Sequence, residues 1–153
     1  NGPNAECCIK TTLARQIANW VIIYSPLQMA ADLIENYEGH PAFRFFRDFD
    51  ADCDWSKALQ GEIGDYIVVA RRAKDRYFLG AGTDEKARTL VQKLDFLEPG
   101  VTYTATIYAD APDAGRNPEA YLIGKRAVTA RDTIRIEMAE RGGQAITFIP
   151  AEK

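Results

Sequence analysis

From residue 65 onward apolar and polar residues alternate in short runs, and no stretch of helical period interrupts them. The runs are 66–71, 76–81, 88–94, 102–109, 120–128, 132–138 and 145–149. Alternation places every second side chain on one face, which is the signature of a half-buried strand. The run Thr102-Tyr103-Thr104-Ala105-Thr106-Ile107-Tyr108 is dense in β-branched and aromatic residues, the side chains that fit a pleated surface. Polar turns separate the runs at Ala73-Lys74-Asp75, Glu98-Pro99-Gly100 and Arg141-Gly142-Gly143. Strands this close in sequence, with no crossover helix between them, pair antiparallel. A small sandwich or open barrel is the expected architecture.

The part before residue 48 follows another period. Leu13, Ile17, Trp20, Val21 and Tyr24 recur at three- and four-residue steps and share one helix face. Thr11 or Thr12 is the expected N-cap. Ser25-Pro26-Leu27-Gln28 reads as a capping box with proline at the first helical position. It predicts a second helix over 26–37, with Leu27, Ala30, Ala31 and Ile34 apolar and Gly39 as its stop. Pro41 opens a third, short helix carrying Phe43, Phe46 and Phe49. The fold class is therefore α+β: a short helical N-terminal segment, residues 1–60, followed by an antiparallel β-sandwich-like domain, residues 61–153. The boundary falls within 48–64, read as a solvated linker. Helices so rich in apolar residues need a large partner surface.

Composition excludes several classes. The 153 residues carry 19 basic and 22 acidic side chains, for a formal net charge of −3. That balance gives no support to a nucleic-acid binder or a membrane-surface protein. No apolar run reaches the roughly 18 residues of a membrane span. The chain opens on Asn1 with no basic-then-apolar leader, which reads as a processed product or a fragment. Cys7, Cys8 and Cys53 form no zinc spacing. Free thiols are the default reading, with a Cys7–Cys53 or Cys8–Cys53 bridge left open.

Few residues invite a chemical role. Asp48, Asp50, Asp52 and Asp54 alternate like a calcium loop, but counting from Asp48 puts Cys53 where glycine is needed and Leu59 where glutamate is needed. His40, the one histidine, sits in a turn between Gly39 and Pro41 without an identifiable nucleophile or orienting partner. Gly80-Ala81-Gly82 lacks the following helix of a phosphate cradle. Glu35, Glu38, Glu62 and Asp65 are the candidate acids, and a glycosidase needs two carboxyls about 5–10 Å apart; spacing places no pair at that distance. The polar loop 108–118 reads as a crossover built of turns. Tyr77, Tyr103 and Tyr121 could stack on sugar rings, yet at alternating positions they read as core or cross-strand pairs.

Three strings carry a family resemblance. The first is Thr11-Thr12-Leu13-Ala14-Arg15-Gln16 running into Tyr24-Ser25-Pro26-Leu27-Gln28-Met29-Ala30-Ala31-Asp32. The second is Gly61-Glu62-Ile63-Gly64-Asp65-Tyr66-Ile67-Val68-Val69-Ala70-Arg71-Arg72. The third is Leu94-Asp95-Phe96-Leu97-Glu98-Pro99-Gly100, followed by Tyr103, Ile107-Tyr108, Asp110, Arg116-Asn117 and Tyr121. In this order and spacing they resemble the C-terminal end of glycoside hydrolase family 97, calcium-dependent α-glucosidases and α-galactosidases. One departure is Ala111-Pro112, where a glycine-containing turn is expected.

The resemblance implies that the helical segment is the tail of a (β/α)8 catalytic barrel. It implies that the sheet part is the non-catalytic C-terminal domain of an exo-acting α-glycosidase, bracing that barrel, in a bacterial periplasmic or secreted enzyme. The family's catalytic carboxylates and calcium ligands precede this segment. So no catalytic, substrate-binding or metal residue is assigned here, calcium belongs to the full-length parent, and this chain alone is expected to be inactive. The expected partners are the remainder of the parent, its barrel and N-terminal domain, and a second copy. Self-association would use an exposed apolar face on Leu13, Ile17, Trp20, Val21 and residues 43–49. The alternatives are an autonomous carbohydrate-binding β-module and, requiring two unidentified carboxylates, a free-standing hydrolase.

Overall fold

The computed structural model describes residues 10–29 and 33–151. Helix α1 (Leu13–Ile22) begins where Thr12 Oγ1 accepts a hydrogen bond from Arg15 N at 3.1 Å, satisfying one of the donors that a helix start leaves free. Ala14, Ile17, Ala18 and Val21 form its buried face. The helix ends before Tyr24, because Ile23 turns extended while its N–H still bonds Asn19 O at 2.8 Å.

The helix expected over 26–37 does not form as such. Helix α2 is only Ile34–Tyr37, and Ala30 and Ala31 lie outside the described residues. Ser25 Oγ accepts from Leu27 N at 3.3 Å and donates to Leu27 O at 2.6 Å, so it closes a local turn. Gln28 does not reach back to Ser25; it turns toward the end of α1. Helix α3 (Phe43–Asp48) is the short aromatic helix expected after Pro41.

Eight strands follow: β1 (Trp55–Glu62), β2 (Tyr66–Ala73), β3 (Arg76–Thr83), β4 (Arg88–Lys93), β5 (Tyr103–Asp110), β6 (Tyr121–Val128), β7 (Thr133–Met138) and β8 (Gly143–Pro150). Strand β1 corrects the linker reading of 48–64 and starts six positions before the expected domain boundary at 61. It is an edge strand, largely exposed, with a bulge between Ala58 and Gln60. Its side chains therefore never had to alternate.

A six-stranded sheet runs β1-β2-β3-β8-β5-β6, and β4 and β7 form a separate two-stranded ribbon. All the pairings are antiparallel. This is the expected sandwich-like arrangement. The ribbon covers one face of the central strands through Leu94, Ile134, Ile136 and Met138, against Tyr77, Leu79, Tyr103, Ile146 and Phe148. Helices α1 and α3 cover the opposite face, where Ile17, Val21 and Phe45 meet Ala73, Phe78, Tyr108 and Ala145. Strand β3 is buried along nearly its whole length because both of its faces are covered.

That second core corrects another expectation. Ile17, Val21 and Phe45 are buried, and Leu13, Trp20, Phe46 and Phe49 pack against them. The apolar face expected to be exposed is covered by the chain's own sheet. Gly80 and Gly82, on β3, leave room for α1: a Cβ at Gly80 would stand 2.7 Å from Ala18 O and 2.8 Å from Val21 Cβ. The Gly80-Ala81-Gly82 run is thus a seat for a helix rather than for a phosphate.

Candidate functional site

Two surfaces frame α1. The first is a polar joint at its N-terminal end. Asp110, closing β5, accepts hydrogen bonds at Oδ2 from Ala139 N at 2.9 Å and Gly143 N at 3.0 Å. Its Oδ1 is buried with no hydrogen-bond partner among the described residues. Burial pushes the Asp110 carboxyl up, against the Thr12 hydroxyl, those two N–H groups and the Arg15 charge, which act the other way. Arg15 spans the joint, donating from Nε to Asn19 Oδ1 at 2.9 Å and from Nη1 to Thr83 O at 3.0 Å. Burial lowers its pKa.

Beside it, Arg88 gathers Asp65 and Asp84. Its Nη2 donates to Asp65 Oδ2 at 2.9 Å, its Nη1 to Asp65 O at 3.1 Å and to Asp84 Oδ1, and its guanidinium lies 5.5 Å from the Tyr66 ring centroid. The Arg88 hydrogen bond holds Asp84 below the usual carboxylate range. An open cleft of about 680 Å³ runs along this joint, lined by Arg15, the 60–66 hairpin and Thr83-Asp84. Two of its acids, Asp65 and Asp84, are paired with Arg88, and the third, Glu62, stands exposed at its edge.

The sequence candidates are scattered. Of the acids, Asp65 enters this joint and Glu62, exposed, lines the cleft beside it, while Glu35 and Glu38 are exposed elsewhere. His40 is exposed, and its ring lies 5.4 Å from that of Tyr121. Tyr77 and Tyr103 are buried core residues, their rings 5.7 Å apart. The acidic run is engaged in ion pairs: Asp48 with Arg44, Asp50 with Lys74 at 2.9 Å and Asp54 with Arg72 at 2.9 Å. Among the described residues no three His, Cys, Asp or Glu side chains converge to hold a metal ion. Cys53 Sγ donates to Asp50 O at 3.3 Å, while Cys7 and Cys8, and with them the possible bridges, lie outside the described residues. The polar loop after Tyr108 is a string of turns that returns to α1, with Leu13 N bonding Pro118 O at 2.8 Å. No helix of the described residues is long and apolar enough to cross a membrane.

The second surface is apolar and follows α1. Ile23 is 62% exposed, Tyr24 56%, Leu27 72% and Met29 78%. Lone exposed apolar residues are ordinary; four within seven positions are not. The periodicity of α1 hid them, because Tyr24 continues the helical spacing although the helix has already ended.

Comparison with known proteins places this architecture. A family model described as glycosyl-hydrolase 97 C-terminal, oligomerisation, matches residues 52–149. A retaining alpha-galactosidase of Bacteroides thetaiotaomicron is 32% identical over 136 residues, which is 88% of this chain and 20% of that protein. A glycoside hydrolase family 97 enzyme from a Pseudoalteromonas species, solved among other forms with acarbose, is 46% identical at a TM-score of 0.88. The match covers 94% of this chain and 23% of that one. A beta-arabinopyranosidase structure, 23% identical with a TM-score of 0.74, shares the fold. The chain thus spans about one fifth of the length of the curated relative it matches. The match along nearly its whole length makes this chain a member of glycoside hydrolase family 97, corresponding to the C-terminal portion of such an enzyme.

Proposed function

We propose that this chain is the non-catalytic C-terminal part of an exo-acting α-glycosidase and braces its catalytic barrel. The observation that carries the reading is the uncharged, exposed apolar segment Ile23, Tyr24, Leu27 and Met29 directly after α1. A surface of this kind is stable in water chiefly when something covers it. The parent is read as acting on α-glucosides or α-galactosides; the name of the Bacteroides relative, a retaining alpha-galactosidase, supports the second. Its catalytic acids and calcium would lie in the parts outside this chain, and the enzyme would be periplasmic or secreted in a bacterium. Helix α1 would then be the last barrel element, shared between barrel and sheet. Self-association, named in the family description, belongs to the same reading.

The experiment compares the complete enzyme with its Leu27→Asp/Met29→Asp variant. Thermal inactivation of aryl α-glucoside or α-galactoside hydrolysis should begin at distinctly lower temperature in the variant. An unchanged inactivation curve would sink the bracing role. An autonomous carbohydrate-binding module is less favoured, since two of the three candidate stacking residues, Tyr77 and Tyr103, lie in the core. Calorimetry of this chain with panose or an α-galactoside should accordingly register no binding heat.

A further inference from the structure

We propose that Arg71 and Gln28 pin the chain leaving α1, residues 23–29, into a preformed docking loop for the catalytic portion of the parent; this rests on the bracing role above. A helix end leaves its last carbonyls without intrahelical donors. At α1, side chains supply all of them. Arg71 Nε donates to Val21 O at 2.5 Å and Arg71 Nη2 to Ile22 O at 3.3 Å. Gln28 Nε2 donates to Trp20 O at 3.4 Å and to Ile23 O at 3.1 Å.

Arg71 is buried, and it is tied to β1 through Nη1 to Ser56 Oγ at 2.9 Å. Its guanidinium also stands 5.1 Å from the Tyr24 ring centroid. A cation at a helix C-terminus complements the macrodipole, but burying it carries a desolvation cost that an apolar side chain would avoid. The hydrogen bonds made by this cation go to the exit of α1 and to Ser56. What it determines is the direction in which the chain leaves. Ser25 closes the turn to Leu27, so the segment is held at three points while Ile23, Leu27 and Met29 face outward. A loose apolar loop would fold back on the domain; a pinned one presents its side chains and has less ordering entropy to lose on docking.

The occupant is the catalytic portion, an uncharged apolar surface. Residues 23–29 contain no charged side chain, and in the solved relative at 46% identity the matched unit is 23% of the chain. Most of such an enzyme therefore remains to cover the loop.

Hydrogen exchange on this chain and thermal inactivation of the complete enzyme test the proposal together. Arg71→Lys keeps the charge but loses the fork, and Gln28→Ala changes a side chain outside the core. Both should speed exchange within 20–29 by about tenfold while β3 and β8 keep their protection. Both should also bring forward the thermal inactivation of the complete enzyme, with kcat and KM at low temperature unaltered. Unchanged exchange in both variants overturns the pinning. Faster exchange with wild-type heat resistance overturns its role in docking, provided Leu27→Asp/Met29→Asp still weakens the enzyme. If that double variant has no effect, the bracing reading fails and this proposal with it. If the double variant instead breaks a dimer by light scattering, at unchanged heat resistance, the occupant is a second copy and the proposal falls.

Discussion

Asp110 carries two obligations at once. It serves Ala139 N and Gly143 N, and its other oxygen is buried without a hydrogen-bond partner among the described residues. Asp110→Ala removes the acceptor for both N–H groups and should lower stability by about 1–3 kcal/mol in denaturant unfolding. Asp110→Asn retains an acceptor and should stay close to wild type at pH 7. The pH dependence separates the two chemistries. Burial raises the folded-state pKa of Asp110, so between the unfolded value near 4 and the folded value the folded chain binds more protons. Stability from this group grows as pH falls through the folded pKa and is fully present below the unfolded one. Asp50, Asp84 and Asp132 are shifted downward and act oppositely, but they are common to both proteins. Wild type should therefore gain on Asp110→Asn between pH 7 and pH 4. A constant gap across that range would remove Asp110 from the account. Nearby, the Tyr108 hydroxyl is buried without a partner among the described residues and its pKa is pushed up to about 12. Tyr108→Phe should be neutral or stabilising by up to about 1 kcal/mol in thermal unfolding. A loss above that would reveal a hydrogen bond to water.

Helix α1 can lie on the sheet because Gly80 has no side chain. Gly80→Ala would push a methyl onto Ala18 O and Val21, and overpacking of this kind costs about 1–3 kcal/mol. A midpoint shift of that size in urea, with far-UV circular dichroism retained, is the expected result; no shift would mean that α1 slides freely. The elements themselves were legible wherever period and burial coincide. β7 alternates strictly, exposed then buried, and α1 has a single buried stripe. β1 escaped notice because an edge strand with a bulge need not alternate. The second helix was overread because Ser25 and Gln28 have the capping-box spacing yet find better partners: Leu27 for the serine, the end of α1 for the glutamine. Local spacing shows what a side chain is able to bond, and tertiary competition decides what it does bond.

The two faces of the central sheet should unfold together, since β2, β3, β5 and β8 contribute to both cores. The two tryptophans report on opposite sides. Trp20 packs at 4.6 Å from Phe46 on the helical side. Trp55 lies 6.5 Å from Phe96 on the ribbon side. Fluorescence of Trp20→Phe and Trp55→Phe variants should give coincident denaturant transitions, each referred to its own circular dichroism curve. Separate midpoints would mean that the helical layer detaches first. Ile17→Asp should unfold the chain, because Ile17 is buried in the core. By itself the sequence determined the grammar of the molecule: helical before residue 48, stranded from residue 65, antiparallel, and similar to family 97. Those properties follow from periodicity, turn chemistry and ordered motifs, all of which are local or additive along the chain. Only the tertiary structure decided that the helices cover their own sheet, that Asp65 joins Asp84 at Arg88 while Glu35 and Glu38 stay apart, and that residues 23–29 leave four apolar side chains exposed together. Each of these depends on which distant surfaces meet, and no one-dimensional pattern contains that information, because a buried face and an exposed apolar face read alike until their partner is in place.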